Sequence, residues 1–361
     1  MKRLVVSLAL LTACTTTTRQ AEPPSAPQVA APAPTPPSTV YVFEGVEVFG
    51  SRKVPQEKLV ELMGLPPPGT RIDKEKNDFV PLLIAGKKRL LEAYDFPYCK
   101  VSVAEYPPTH TMRVAVDVVD RGDEWRMRFN PEPQGEVADP EGLIAAWRDY
   151  QKLYWKLRKE GAVPEYGVGT CRALVCHGGF DHPELASLEQ RFIDGVPRNV
   201  EALLRVLRED KDGSKRYTVM LFLPYLDSRE QLVKAILPSV RDPDVGVRNE
   251  VLRVLGAAQQ GQPRVIIPLE TILEALWFPI VNDRNKAGWA LVRILETEGT
   301  VHRQVILDKA GEVLVAMAGM QQKIDHEPAR KVLAMLAGQD FGGDVAAWRR
   351  WLEQQDAAHE N

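Results

Sequence analysis

The chain has 361 residues, with 46 Lys and Arg against 49 Asp and Glu, for a formal net charge of −3. That near balance, spread along the chain, argues against nucleic acid as a partner, which ordinarily demands a basic face. The length beyond residue 40 is enough for two domains, or for one domain plus a repeat array.

Lys2 and Arg3 precede the apolar run Leu4 to Leu11, the charged-then-apolar layout of a bacterial secretory signal. The run is too short for a membrane span, which needs about 20 apolar residues. Removal of the signal takes Lys2 and Arg3 but no acid, so the net charge becomes −5. Leu11-Thr12-Ala13-Cys14 resembles the lipobox of bacterial lipoproteins, with Thr12 where Ser or Ala is commoner. The resemblance implies a signal peptide over 1–13 and acylation of Cys14, each buried methylene adding about 0.8 kcal/mol of membrane affinity. With Thr15 rather than Asp after the cysteine, it implies a lipid anchor on the periplasmic face of the outer membrane. An ordinary cleaved signal with an incidental cysteine is the alternative. Residues 14–39 carry Pro23, Pro24, Pro27, Pro32, Pro34, Pro36 and Pro37 among Ala, Thr, Ser and Gln, a composition that favours an extended tether.

Residues 40–121 read as a small α+β domain. Val40 to Gly50 is rich in β-branched and aromatic residues, with Val46 and Val48 alternating against Glu47 and Phe49. Pro55 suits a helix start, and Leu59, Leu62 and Met63 follow at helical spacing until Pro66-Pro67-Pro68-Gly69. A longer helix is expected over Lys74 to Ala93, with Phe79, Leu82, Leu83, Leu90 and Leu91 as its stripe. Tyr98 to Tyr106 and Met112 to Val119 alternate as strands around the turn Pro107-Pro108-Thr109-His110.

The order β-α-α-β-β, with Val46-Glu47-Val48-Phe49-Gly50 and Ala93-Tyr94-Asp95-Phe96-Pro97-Tyr98, resembles a POTRA domain, although Phe96-Pro97 stands where that family usually carries Gly. The resemblance implies a three-stranded sheet that recruits a partner's strand at one edge. The expected edge is Lys100, Val101, Ser102, Val103, Ala104 and Glu105. A generic ferredoxin-like or KH-like domain fits the element order less well, and the KH reading lacks its GxxG loop and basic surface.

Residues 122–196 read as a helical and loop connector. Leu143, Trp147, Tyr150, Tyr154 and Leu157 mark one helix whose aromatic stripe reads as core. Beyond it, Cys171 to Leu185 admits three readings. A disulfide between Cys171 and Cys176 suits an oxidising compartment, with His182-Pro183-Glu184 capping the next helix, and leaves Cys99 as the odd thiol. A zinc site would use Cys171, Cys176, His177 and His182, crowded into twelve residues where structural sites separate their ligand pairs. A nucleophilic Cys176 would need a base, but the adjacent His177 points elsewhere on a regular backbone. The disulfide is the preferred reading.

From residue 197 to 355 the pattern becomes helix, short polar turn, helix. Leu203 and Leu207 pair with Met220 and Leu221; Leu232 to Val240 with Val247 to Ala258; Ile266 to Leu276 with Lys286 to Leu295; and Val305 to Met320 with Ala329 to Leu336. Trp348 and Trp351 mark a terminal cap. The turns place Arg216, Arg248 and Arg284 at spacings of 32 and 36 residues. Asp212-to-Arg216 and Asp244-to-Arg248, each D-x-x-x-R, resemble the turns of HEAT repeats, an armadillo-like helical array. The resemblance implies an all-α superhelix whose acids and arginines link adjacent turns and whose concave face binds protein. An ordinary helical bundle is the alternative.

No Gly-rich phosphate loop, paired catalytic carboxylates or metalloprotease helix occurs in the array, so neither an enzyme nor a cofactor is expected. The expected function is a periplasmic, membrane-anchored scaffold or adaptor in a cell-envelope complex for secretion or outer-membrane assembly. It would hold envelope proteins by strand addition and by the concave helical face. The alternative is an enzyme or zinc-binding module centred on residues 171–184.

Overall fold

The computed structural model describes residues 39–76, 78–163, 170–176, 179 and 181–359. Cys14, most of the expected tether and His177 lie outside the described residues. Thr39–Asn361 forms one compact unit of mixed α+β structure. No described helix is long and apolar enough to cross a membrane.

The first elements are β1 (Val40–Phe49), α1 (Gln56–Met63), β2 (Arg71–Asp73), α2 (Phe79–Ala93), β3 (Tyr98–Tyr106) and β4 (Thr111–Val119). The sheet runs β2-β1-β4-β3, with β1 parallel to β4 and both outer pairs antiparallel. It therefore has four strands, and the element order is β-α-β-α-β-β rather than the expected β-α-α-β-β. The extra strand is three residues long, too short to show an alternation. It forms because Val40, Tyr41 and Val42 offer it main-chain partners.

A shift of register between Phe43 and Val46, at Gly45 with φ of 127°, keeps Tyr41, Phe43 and Val46 on one face. They join Met112, Val114, Val116 and Val118 of β4 under Leu59 and Met63 of α1 and Phe79 and Leu90 of α2. The two helices approach so closely that a Cβ at Gly86 would lie 2.6 Å from the Met63 carbonyl oxygen. Of the expected inward stripe of α2, Phe79, Leu83 and Leu90 turn inward, joined by Gly86, while Leu82 and Leu91 are exposed.

The helices that follow are α3 (Leu143–Lys159), α4 (Ala186–Arg198), α5 (Val200–Glu209), α6 (Gly213–Phe222), α7 (Arg229–Ile236), α8 (Val245–Gln259), α9 (Leu269–Ala275), α10 (Val281–Glu298), α11 (Arg303–Ala318), α12 (Lys323–Ala337) and α13 (Val345–His359). Successive pairs from α5/α6 to α11/α12 match the apolar stripes, and α6, α8, α10 and α12 pack in sequence, each against the next. Trp348 and Trp351 seal α13 against the end of the array. Leu143, Trp147, Tyr150 and Tyr154 are buried, as their stripe predicts. They belong to the same continuous core as the array, so helical packing begins at α3.

The second face of the sheet rests on the turns within the helical pairs. Phe49 joins the helical core rather than the core under α1 and α2. The strap of residues 128–139 crosses the earlier turns, with Asn130 N–H donating to the Arg241 carbonyl at 2.7 Å and Gly135 N–H to that of Glu209 at 2.9 Å.

Candidate functional site

Two features bear on function: the outer edge of β3, and the buried charges that hold the sheet to the helices. β3 pairs with β4 along its full length, from Tyr98 opposite Val119 to Tyr106 opposite Thr111. It is the last strand of the sheet, and its other main-chain edge has no main-chain partner among the described residues. Cys99 and Val101 pack towards the α1/α2 core, where burial raises the Cys99 thiol pKa. Val103 is exposed, Ala104 buried, and Glu105 accepts from Lys74 Nζ at 2.7 Å. Lys100 and Tyr98 line a pocket shared with Phe129, Arg216 and Arg248. At the far end of the strand, Tyr106 Oη accepts from Lys323 N–H at 3.0 Å. The edge thus lies beside the helical turns rather than on an isolated domain.

A ladder of arginines runs through those turns. Arg216, Arg248 and Arg284 each occupy the fourth position of the second helix of a pair, and each is essentially fully buried. Arg216 donates to both carboxylate oxygens of Asp242, at 2.9 and 2.7 Å, and Arg248 donates to Asp283 at 2.9 Å. Arg284 donates to Asp325 at 3.3 and 3.1 Å and to Asp117 of β4 at 2.7 Å. Each Nη1 also donates to the carbonyl six residues back: Asp210, Asp242 and Phe278. His326, at the same position of α12, makes the equivalent bond from Nδ1 to the Met320 carbonyl at 2.8 Å.

The ladder corrects the expected acid–arginine assignment. Asp212 and Asp244 accept from the Ser214 and Val247 N–H groups as helix N-caps and do not pair with Arg216 or Arg248. The paired acids are Asp242, Asp283 and Asp325, each on the following helical pair. Asp283-Arg284 and Asp325-His326 stand adjacent in the chain, the one local signal that these turns share a role.

The sheet completes the ladder. Besides the Asp117 bond, Asp117 accepts from Val281 N–H, and Glu47 accepts from the N–H groups of Gln321 and Gln322 at 2.7 and 2.9 Å. The Arg284 guanidinium lies over the Phe49 ring at 3.7 Å, and that of Arg248 over Phe129 at 3.9 Å. Burial opposes the Arg284 charge, but Asp117 and Asp325 outweigh it and raise its pKa. Burial pushes the Asp325 carboxyl up to about 6, with Arg284 opposing and Asp117 and Glu47 adding to the rise. Burial likewise raises Asp283 despite Arg248.

Cys171 and Cys176 form a disulfide with Cα atoms 5.5 Å apart, so neither sulfur is a free thiolate for zinc. The loop is clasped to the helices: Glu189, itself buried, accepts from Arg172 N–H and Nε at 2.7 and 2.8 Å and from Tyr225 Oη at 2.9 Å. His182 accepts from Glu184 N–H at 3.3 Å in the turn before α4, short of the helix N-terminus. His177, the fourth member of the zinc alternative, lies outside the described residues. Among the described residues no group of three or more His, Cys, Asp or Glu is placed to hold a metal.

Comparison of the chain with protein-family models, with curated proteins and with solved structures finds no match in any of the three.

Proposed function

We propose that this protein is a lipid-anchored, periplasm-facing adaptor that binds envelope proteins, with the outer edge of β3 as its principal contact. The observation that carries the reading is that edge: a nine-residue strand with one main-chain side paired and the other without a main-chain partner among the described residues. The POTRA-like stretches Val46 to Gly50 and Ala93 to Tyr98, on a sheet with one strand more than that resemblance implies, and the HEAT-like spacing of Arg216, Arg248 and Arg284 support a protein-binding role for both parts. The lipobox-like Leu11 to Cys14 supports the anchor.

In this reading the buried ladder fixes the sheet on the helices, so that an incoming strand meets the edge and the neighbouring turns together. Alternate residues of a strand turn their N–H groups to opposite sides, so Ser102→Pro and Val103→Pro together include one variant that removes only an outward donor. That variant is expected to keep the wild-type unfolding temperature and to lose strand-dependent crosslinks from a photoreactive residue at Glu105 to an envelope protein. Undiminished crosslinking in both folded variants rules out the edge. Cys14→Ser is expected to move the protein from the membrane to the soluble fraction.

A further inference from the structure

We propose that the pocket between the end of β1 and helices α11 and α13 binds a carboxylate carried on an aromatic or apolar body. This site stands apart from the β3 edge and does not depend on the adaptor reading. The pocket has a volume of about 330 Å³, and Arg126 forms part of its wall.

Arg126 is 4% exposed and has no carboxylate within salt-bridge distance among the described residues. Its Nε donates to the Trp277 carbonyl at 2.8 Å, and Nη1 donates to the carbonyls of Gly50 and Val118 at 3.3 and 3.4 Å. Nη2 has no partner. Gly50, also in the wall, leaves room for the guanidinium: a Cβ there would lie 2.8 Å from Nη1 and 3.0 Å from Nη2. A buried cation held by carbonyl oxygens and by the Phe49 ring, 5.9 Å from its guanidinium carbon, with no bonded carboxylate among the described residues, is an incomplete pair, and an incoming anion completes it. Arg284 adds repulsion, while Asp123, Asp117 and Asp120 act on Arg126 with the opposite sign without bonding to it.

The rest of the lining sets the ligand class. Arg52 and Arg349 add two cations that have no salt-bridge partner among the described residues, against Asp123 and Glu312 in the same wall. Trp125, 41% exposed, lies 5.3 Å from Trp277 at a tilt of 58°, and both rings border the pocket. Guanidinium groups suit a carboxylate, and the indoles suit the flat or apolar body attached to it.

The test uses the full chain labelled with 15N-tryptophan, following the Trp125 and Trp277 indole N–H signals during titration with phenylacetate, its neutral analogue phenylacetamide and inorganic phosphate. Phenylacetate is expected to shift both signals with a dissociation constant on the order of 1 mM. The amide and phosphate are each expected to bind about ten-fold more weakly or worse. Arg126→Gln is expected to abolish the shifts. Should that variant unfold, the exposed pair Arg52→Gln with Arg349→Gln is expected to weaken binding about ten-fold while leaving the fold intact. No shift with phenylacetate, equal binding of the amide or of phosphate, or unchanged affinity in the folded double variant overturns the proposal.

Discussion

The two faces of the four-stranded sheet are built on opposite principles. Against α1 and α2 it presents Phe43, Val46, Met112, Val114, Val116 and Val118, an apolar surface whose stabilisation depends on area and packing alone. Against the helical turns it presents Glu47, Phe49, Asp117 and Tyr106, each meeting a named main-chain donor or guanidinium. An apolar face tolerates small slides, because dispersion and hydration are non-directional. A buried charge does not, because it costs several kcal/mol wherever its partner is missing. The apolar face therefore makes the domain, and the charged face fixes where that domain sits.

That contrast can be broken on either side. Arg284→Ala leaves Asp117 and Asp325 buried without a cation and is expected to destabilise the folded unit by about 3–5 kcal/mol, measured by urea unfolding. A loss below about 1 kcal/mol would show that the charged junction contributes little. Leu90→Ala, on the apolar face, removes a fully buried side chain and is expected to cost about 2–5 kcal/mol through the lost transfer energy and the cavity. Unlike Arg284→Ala, it should leave the Asp117 to Val281 docking contact protected from hydrogen exchange relative to global unfolding.

The smallest effect is one of pH and belongs only to the charged face. Asp325, facing Arg284, Asp117, Glu47 and Gln322, has its carboxyl raised by burial from 3.8 in the unfolded chain to about 6. The folded state then binds the proton more tightly between those values. The stability due to this group is fully present below pH 3.8 and is lost as pH rises through about 6. Asp283 titrates with the same sign, so the contribution of Asp325 is read as the difference in slope between wild type and Asp325→Asn over that window. Equal slopes would place the titration elsewhere.

Much of the secondary structure is legible locally. Alternation at Val46 and Val48 and at Val114, Val116 and Val118, and helical stripes such as Leu143 to Leu157, reflect burial on one face of one element, which periodicity records directly. The spacing of Arg216, Arg248 and Arg284 likewise exposes the helical repeat, and Cys171 with Cys176 form the disulfide that their proximity in sequence allows. The partners of those arginines are not legible. Asp212 and Asp244 recur at a fixed offset because a helix N-cap is a local requirement. Asp242, Asp283 and Asp325 pair across helical pairs, at separations of 26 to 41 residues that follow no fixed period.

The amino-acid sequence by itself thus determined most of the elements and the stripes that bury them, though not the three-residue β2 or the full inward face of α2, because most depend on residues within a few positions. Only the tertiary structure decided that Glu47 and Asp117, two acids on otherwise apolar strands, face the helical turns from 164 or more residues away. It also decided that Arg126 is buried with no bonded carboxylate among the described residues, and that the short β2 covers the side of β1 away from β4. Those outcomes depend on which distant surfaces meet, and desolvation of charge allows few such meetings.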